Sequence, residues 1–411
     1  MTTTAGSVQR TYLTLTLLTT FAASFIWGVN TLFLLDAGLS NTEAFAANAF
    51  FAIGQVLFEV PTGVVADTRG RRFSYLLGAV TLLASTLLYY VMWQVHAPFA
   101  GWALASILLG LGFTFFSGAT EAWLVDALSA TGYTGSLETV LGRAQTVSGI
   151  AMLVGSVLGG VVAQAADLGV PYLLRAALLG LTLVVAFRFM HDIGFSPRRG
   201  ASHLAEVRSV VRGSIDGGWR NPPVRALMLA APFTSGVGFF AFYASQPYLL
   251  ELYGDPKAYS VAGLAAALFA GAQILGGILV PYVRRLFRRR TDAILLATVG
   301  TVVILGVIGW TPSFVVALLL LAVWALIFAV EIPLRQAYIN GIIPSEQRAT
   351  VLSFDSFMGS IGGAAAQPAL GRVADVYGYG PSYVVAGVIQ VFAIPFVLMA
   401  RRQRAASDPI E

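Results

Sequence analysis

Eight charged side chains stand inside stretches that otherwise read as unbroken apolar helix: Glu59, Glu121, Asp126, Arg143, Arg175, Glu331, Arg335 and Asp355. A charge at the centre of a membrane-spanning helix costs about 2.5–3.5 kcal/mol or more, so each needs a partner or a task. A carboxyl in apolar surroundings holds its proton more tightly than in water, and can then load and release it near neutral pH. That is the chemistry of proton coupling. Glu59 and Glu331 are the first candidates for it, followed by Glu121 and Asp355. At about 1.5 Å of rise per residue, Glu59 lies nearest the middle of its helix. No cation stands three or four residues beyond it. The others have plainer readings. Glu331 and Arg335 are four apart, in the order that favours an ion pair. Asp355 follows Arg348 on its own helix and has a second partner to find on the helix that carries Glu59. Arg143 and Arg348 open helices, where lipid phosphates would anchor them.

The elements that carry these groups are set by composition. Of 411 residues, 57% are hydrophobic and 11% charged, against roughly 25% charged in a soluble domain. Apolar runs this long and unbroken are membrane helices rather than barrel strands, which alternate. Spans are expected at 12–35, 44–66, 73–95, 99–125, 140–164, 170–193, 224–250, 260–283, 292–310, 313–337, 350–371 and 382–400. The first is too long for a signal peptide and has no clear cleavage site, so it is expected to be retained. With twelve spans, both termini face one side. Placing them in the cytosol leaves only Arg175, Lys257 and Arg372 outside, with every other lysine and arginine inside. The chain is thus expected in the cell membrane with both ends cytosolic.

Two halves are expected: a six-helix bundle over 1–193 and another over 223–411. A cytosolic loop over 194–222 joins them. In that loop Leu204, Val207 and Val211 recur at helical spacing beside Arg208 and Arg212, as in a helix lying on the inner leaflet. Short internal matches support a duplication. Arg143-Ala-Gln-Thr-Val-Ser148 corresponds to Arg348-Ala-Thr-Val-Leu-Ser353, and Glu121-Ala-Trp-Leu-Val-Asp126 to Glu331-Ile-Pro-Leu-Arg-Gln336. Each pair lies about half the chain apart, as in transporters built from repeated units.

There is no cysteine, so disulfides and thiolate chemistry are excluded. His96, His191 and His203 fall in loops or at helix ends, which argues against an intramembrane metal site. No nucleophile–base pair stands at membrane depth, so no enzyme is expected. Neither a cofactor nor a metal is implied. The net charge of +5 is distributed by topology and is not a nucleic-acid footprint.

Between spans 2 and 3 the chain reads Gly63-Val-Val-Ala-Asp67-Thr-Arg-Gly70-Arg71-Arg72. Glycine at 63 would let span 2 approach a neighbour, and glycine at 70 would allow a tight reversal. This loop resembles the signature loop of the major facilitator superfamily. The resemblance implies an all-α membrane protein of twelve transmembrane helices in two pseudo-symmetric six-helix bundles. It also implies that Asp67 caps the start of span 11 and that Arg71 contacts the acid at the end of span 4, Asp126. Together these would form a cytosolic latch, closed in the outward-facing state. A second resemblance, to the glycine-rich span 5 of antiporters, is partial. Gly142, Gly155, Gly159 and Gly160 are present, but Ala151 replaces a glycine and Ser156 a proline. The arginine of some exporters' span 4 is absent, with Ile107 standing ahead of Gly110-Leu-Gly112.

In that fold spans 1, 4, 7 and 10 line a central cavity. This implicates Trp27 and Asn30; Phe113, Phe116 and Ser117; Phe239, Tyr243 and Gln246; and Trp324 as substrate contacts. An aromatic lining with few fixed charges suits a small amphipathic or hydrophobic compound. The expected function is alternating-access transport, with proton-coupled efflux of such compounds leading. A metabolite importer or symporter on the same fold, and a lipid flippase, are the alternatives. The expected partners are a small-molecule substrate, protons and the lipid bilayer, and the chain is expected to act as a monomer.

Overall fold

A computed structural model describes residues 4–117, 119–197, 218–343 and 348–410. The helix expected around Leu204 to Val211 lies outside the described residues. The described chain is helical throughout, with α1 Ala5–Trp27, α2 Asn30–Asp36, α3 Asn41–Arg69, α4 Arg71–Gln94, α5 Phe99–Phe116, α6 Ala119–Ala130, α7 Leu137–Ala165 and α8 Val170–Phe189 in its first part. The second part holds α9 Pro222–Tyr253, α10 Tyr259–Arg284, α11 Arg290–Trp310, α12 Phe314–Asn340, α13 Arg348–Tyr377, α14 Tyr379–Val391 and α15 Ala393–Arg402.

Ten spans meet the length and hydropathy that crossing a bilayer requires, with α5 and α6 counting as one and α14 and α15 as another. The bent pair α1 and α2 supplies an eleventh. The twelfth, α13, is 30 residues long but carries Arg348, Asp355, Arg372 and Asp375, which lower its hydropathy. Twelve spans in two bundles fit this architecture.

The expected first span is not straight. It bends by 49° between Trp27 and Asn30. The expected fourth span breaks at Ser117, whose ψ of 137° is extended. There the Thr114 carbonyl accepts the Ser117 hydroxyl at 3.1 Å and the Thr62 hydroxyl at 3.1 Å. Side chains thus take over a carbonyl that the next helical turn would otherwise use.

The chain divides into two compact units. The first takes the described residues within Met1–Gly38, Phe50–Glu206 and Ala258–Ala267, and the second those within Leu39–Ala49, Val207–Lys257 and Leu268–Glu411. In the first unit α1 lies along α7 through small residues. A side chain on Gly155 would strike the Ser24 hydroxyl, and one on Gly159 the Phe25 carbonyl. Ser24 donates to the Ala151 carbonyl at 3.1 Å. Gly54 and Gly110 bring α3 and α5 together in the same way, with a Cβ on Gly110 falling 2.5 Å from the Phe51 carbonyl. In the second unit the equivalent seam runs between α9 and α13, where Gly362 meets the Pro232 carbonyl. Small residues make such contacts possible, and close packing replaces the hydrophobic drive that lipid cannot supply.

Candidate functional site

Two charged clusters stand out, one in each unit. In the first, Arg71 opens α4 directly after Gly70. Gly70 has φ +110°, which favours glycine, and a Cβ there would strike the Asp192 carboxylate. The turn brings Arg71 back onto Asp67, with which it pairs through Nη1, while its Nε lies 3.7 Å from Asp126 Oδ2. The Phe195 ring covers the guanidinium at 5.7 Å. Arg71 thus lies between Asp126, the contact the family resemblance implied, and Asp67, for which the resemblance had implied a place at the start of span 11 instead. The close approach expected at Gly63 is not seen: a Cβ there meets nothing within 4 Å among the described residues.

Asp192 was not anticipated from sequence. Its Oδ1 accepts the Arg72 backbone N–H at 2.8 Å. Negative charge at a helix N-terminus satisfies free N–H groups and meets the positive end of the helix dipole. Arg72 in turn donates to the Phe187 carbonyl at 2.6 Å.

In the second unit the ion pair differs from the one that sequence spacing suggested. Arg335 engages Asp355 rather than Glu331, with both Nη1 and Nη2 on the carboxylate, and Nη2 also donates to the Leu227 carbonyl at 3.0 Å. Two parallel N–H···O bonds are the strongest arrangement open to this pair. Asp355 is therefore tied to α12. Glu331 is buried, and its carboxylate makes no hydrogen bond or ion pair to the described residues. It lines a cavity within the second unit, together with Thr234, Ser235, Thr301, Trp324, Phe328, Arg335 and Gln390. The cavity holds about 150 Å³.

The remaining candidates fall in varied surroundings. Glu59 and Glu121 are exposed, and Ser117 is a hydrogen-bonding neighbour of Glu59. Trp27 ends α1. Asn30 is buried and accepts the Tyr172 hydroxyl at 2.9 Å. Phe113 lies edge-on to Phe51 at 5.6 Å, with the Arg175 guanidinium over its ring at 5.8 Å. Arg175 itself is buried, and its Nε donates to Thr86 at 3.0 Å. Phe116 stacks on Tyr75 at 4.4 Å, against the core of Tyr12, Leu15 and Trp123. Because the helix breaks after Phe116, Ser117 does not continue its face. Phe239 is exposed, Tyr243 stands edge-on to Phe242 at 5.2 Å, and Gln246 is buried. Of this set, Trp324 is the one that reaches the cavity. It stacks on Phe328 at 5.9 Å and meets the edge of Phe269 at 5.4 Å.

Comparison with known proteins places these clusters in context. Residues 12–366 and 258–410 match the family model described as Major Facilitator Superfamily. Among curated proteins, the chain is similar to the Autoinducer 2 import system permease protein LsrC of Shigella flexneri. The two are 25% identical over 281 residues, 66% of this chain and 76% of that one. Among solved structures, the nucleoside transporter NupG covers 95% of this chain and 98% of its own, with TM-score 0.76 and 11% identity. A bacterial homologue of the human lysosomal transporter Spinster, inward-facing and unoccupied, covers 97% of each chain, with TM-score 0.74 and 16% identity. At these identities the solved structures share the fold.

Proposed function

The chain belongs to the Major Facilitator Superfamily, and we propose that, as a secondary transporter of that family, it couples proton movement to the efflux of small amphipathic compounds. The observation that carries this reading is Glu331. It is a buried carboxyl on a cavity wall, and the nearby arginine is already taken by Asp355. An unpaired ionised carboxylate in such a place is costly, and protonation relieves the cost. Glu331 therefore has reason to hold a proton when the cavity is empty and to release it when a favourable occupant arrives. Asp355 serves as the fixed counter-ion of Arg335, while Glu59 and Glu121, both exposed, are secondary candidates.

The cluster of Asp67, Arg71 and Asp126 supports alternating access. A single guanidinium spans two carboxylates borne on α3 and α6, and such a contact can be made in one conformation and broken in another. In this reading the cluster faces the cytosol, as do both termini, in the cell membrane, and a monomer suffices. Substrate-dependent proton flux in liposomes, over a panel of dyes, drugs and metabolites, tests the proposal. Protons moving against substrate support exchange. Protons moving with substrate favour a symporter. No substrate-linked flux in either direction removes proton coupling.

A further inference from the structure

The cavity wall in the second unit sorts itself by chemistry. Trp324 and Phe328 give an aromatic face. The polar groups beside it include acceptors with capacity to spare. Gln390, 2% exposed, lines the cavity, and its amide oxygen accepts no hydrogen bond among the described residues. Thr234 spends its hydroxyl proton on the Ala230 and Ala231 carbonyls, at 3.4 and 3.3 Å, which leaves its oxygen lone pairs free. Glu331 adds a carboxylate that accepts no hydrogen bond among the described residues. Arg335 is the one cation among the lining residues, and its guanidinium is committed to Asp355 and the Leu227 carbonyl.

The charge balance follows. Arg335 and Asp355 cancel, so the cluster carries one net negative charge when Glu331 is ionised and none when it is protonated. No other titratable group lines the cavity among the described residues. An anion would meet an arginine whose charge Asp355 already neutralises. The complement is one positive charge bearing N–H donors, attached to an apolar body that an aromatic face can hold.

We propose that this cavity binds an amphipathic organic monocation, a protonated amine on an aromatic or aliphatic body, and that the amine and a proton compete for Glu331. The proposal rests on the reading of the chain as a proton-coupled transporter and names the substrate class.

The test uses full-length protein in lipid nanodiscs, titrated with phenethylamine and with its neutral isostere phenethyl alcohol, read by tryptophan fluorescence and calorimetry. The amine is expected to bind at least about tenfold more tightly than the alcohol, the size of a charge-assisted hydrogen bond. Glu331→Gln is expected to abolish that preference, and acidification is expected to weaken the amine alone. Equal affinities in the unmodified protein, or a preference that survives Glu331→Gln, overturns the proposal. The comparison in unmodified protein stands even where the variant fails to fold. Amine binding without amine-driven proton flux in liposomes would sustain this site and sink coupled transport. Proton flux driven by neutral compounds, with no amine binding, would do the reverse.

Discussion

Asp408 receives the N-terminus of α11 as Asp192 receives that of α4. Asp408 Oδ1 accepts the Thr291 backbone N–H at 2.9 Å, and Oδ2 accepts the Thr291 hydroxyl at 2.9 Å. Asp192 accepts the backbone N–H of Arg72. The neighbouring arginines repeat as well: Arg72 donates to the Phe187 carbonyl, and Arg290 to the carbonyls of Ser407 and Pro409. Each acid follows the last helix of its half, so each half closes by returning its end to the start of its own third span. This is the duplication expressed in hydrogen bonds. Asp408 is buried, and a helix cap is worth about 1 kcal/mol, up to about 2. Asp408→Ala is expected to lower the thermal unfolding temperature in detergent. Asp408→Asn, which keeps an acceptor oxygen, is expected to recover part of the loss.

Arg71 should not tolerate replacement even by lysine. Lysine carries one point charge on a flexible stem, whereas the guanidinium presents several donors in a rigid fork. Because Arg71 pairs with Asp67 and reaches Asp126 with a second nitrogen, Arg71→Lys keeps the charge but loses the bridge. Transport is expected to fall by about tenfold, equivalent to about 1.4 kcal/mol, with melting temperature nearly unchanged. Arg71→Ala should fall further. Initial transport rates in vesicles, normalised to protein amount, check both.

Asp355→Asn separates a positioning role from a proton-carrying one. The substitution leaves Arg335 charged and without its bidentate partner. The freed guanidinium is then available to Glu331 four residues away, and the cavity loses its net negative charge. Protonated amine binding is expected to drop by about tenfold or more, as in Glu331→Gln. The two variants differ in pH dependence. Glu331→Gln removes the titrating carboxyl and flattens the profile, whereas Asp355→Asn retains Glu331 and shifts the profile toward acid. Binding measured across pH in nanodiscs distinguishes them.

Much of this was legible because membrane solvation makes sequence speak plainly. Spans follow from apolar length, and the pairing of Arg71 with Asp67 follows from a short loop of strong local constraint. Other features were hidden for physical reasons. The break at Ser117 depends on hydroxyls from Thr62 and Ser117 converging on one carbonyl, and the former comes from another helix. Spacing pointed Arg335 to Glu331, its neighbour on the same helix. A bidentate partner on α13 and a carbonyl on α9 won instead, and sequence distance carries no trace of either. Asp192 and Asp408 stayed hidden because each caps a helix far away in sequence.

The glycines of α7 divide into two kinds that composition cannot separate. A Cβ on Gly159 would strike the Phe25 backbone carbonyl, which cannot swing aside. A Cβ on Gly142 meets nothing within 4 Å. Overpacking at a tight seam costs about 1–3 kcal/mol, whereas alanine in a free helical position gains about 0.5–1 kcal/mol over glycine. Gly159→Ala is therefore expected to lower stability and yield, and Gly142→Ala to leave both unchanged or improved. Thermal unfolding of the two purified variants decides, and equal behaviour would count against the close seam between α1 and α7.

Asp375 supplies a pH prediction at the end of α13. Its Oδ1 accepts the Asn41 N–H at 2.8 Å, and its Oδ2 accepts the Thr42 N–H at 3.0 Å and the Thr42 hydroxyl at 2.5 Å. These bonds, with Tyr379 donating to Asn41, help hold residues 39–49 within the second unit. Partial burial pushes the Asp375 carboxyl upward, but the hydrogen bonds from Thr42 and Asn41 outweigh it and hold the group below its ordinary value. A carboxyl lowered on folding contributes stability that is complete above its unfolded value, about 3.9, and is lost as pH falls through the lowered one. Between pH 8 and 5 the contact is therefore expected to be constant, and Asp375→Ala to cost the same amount throughout. Below about pH 4 the unmodified protein should converge on the variant. Amide exchange at Asn41 and Thr42, followed from neutral to acid pH, reads this directly. Exchange that accelerates already near pH 6 would show that a different group governs the contact.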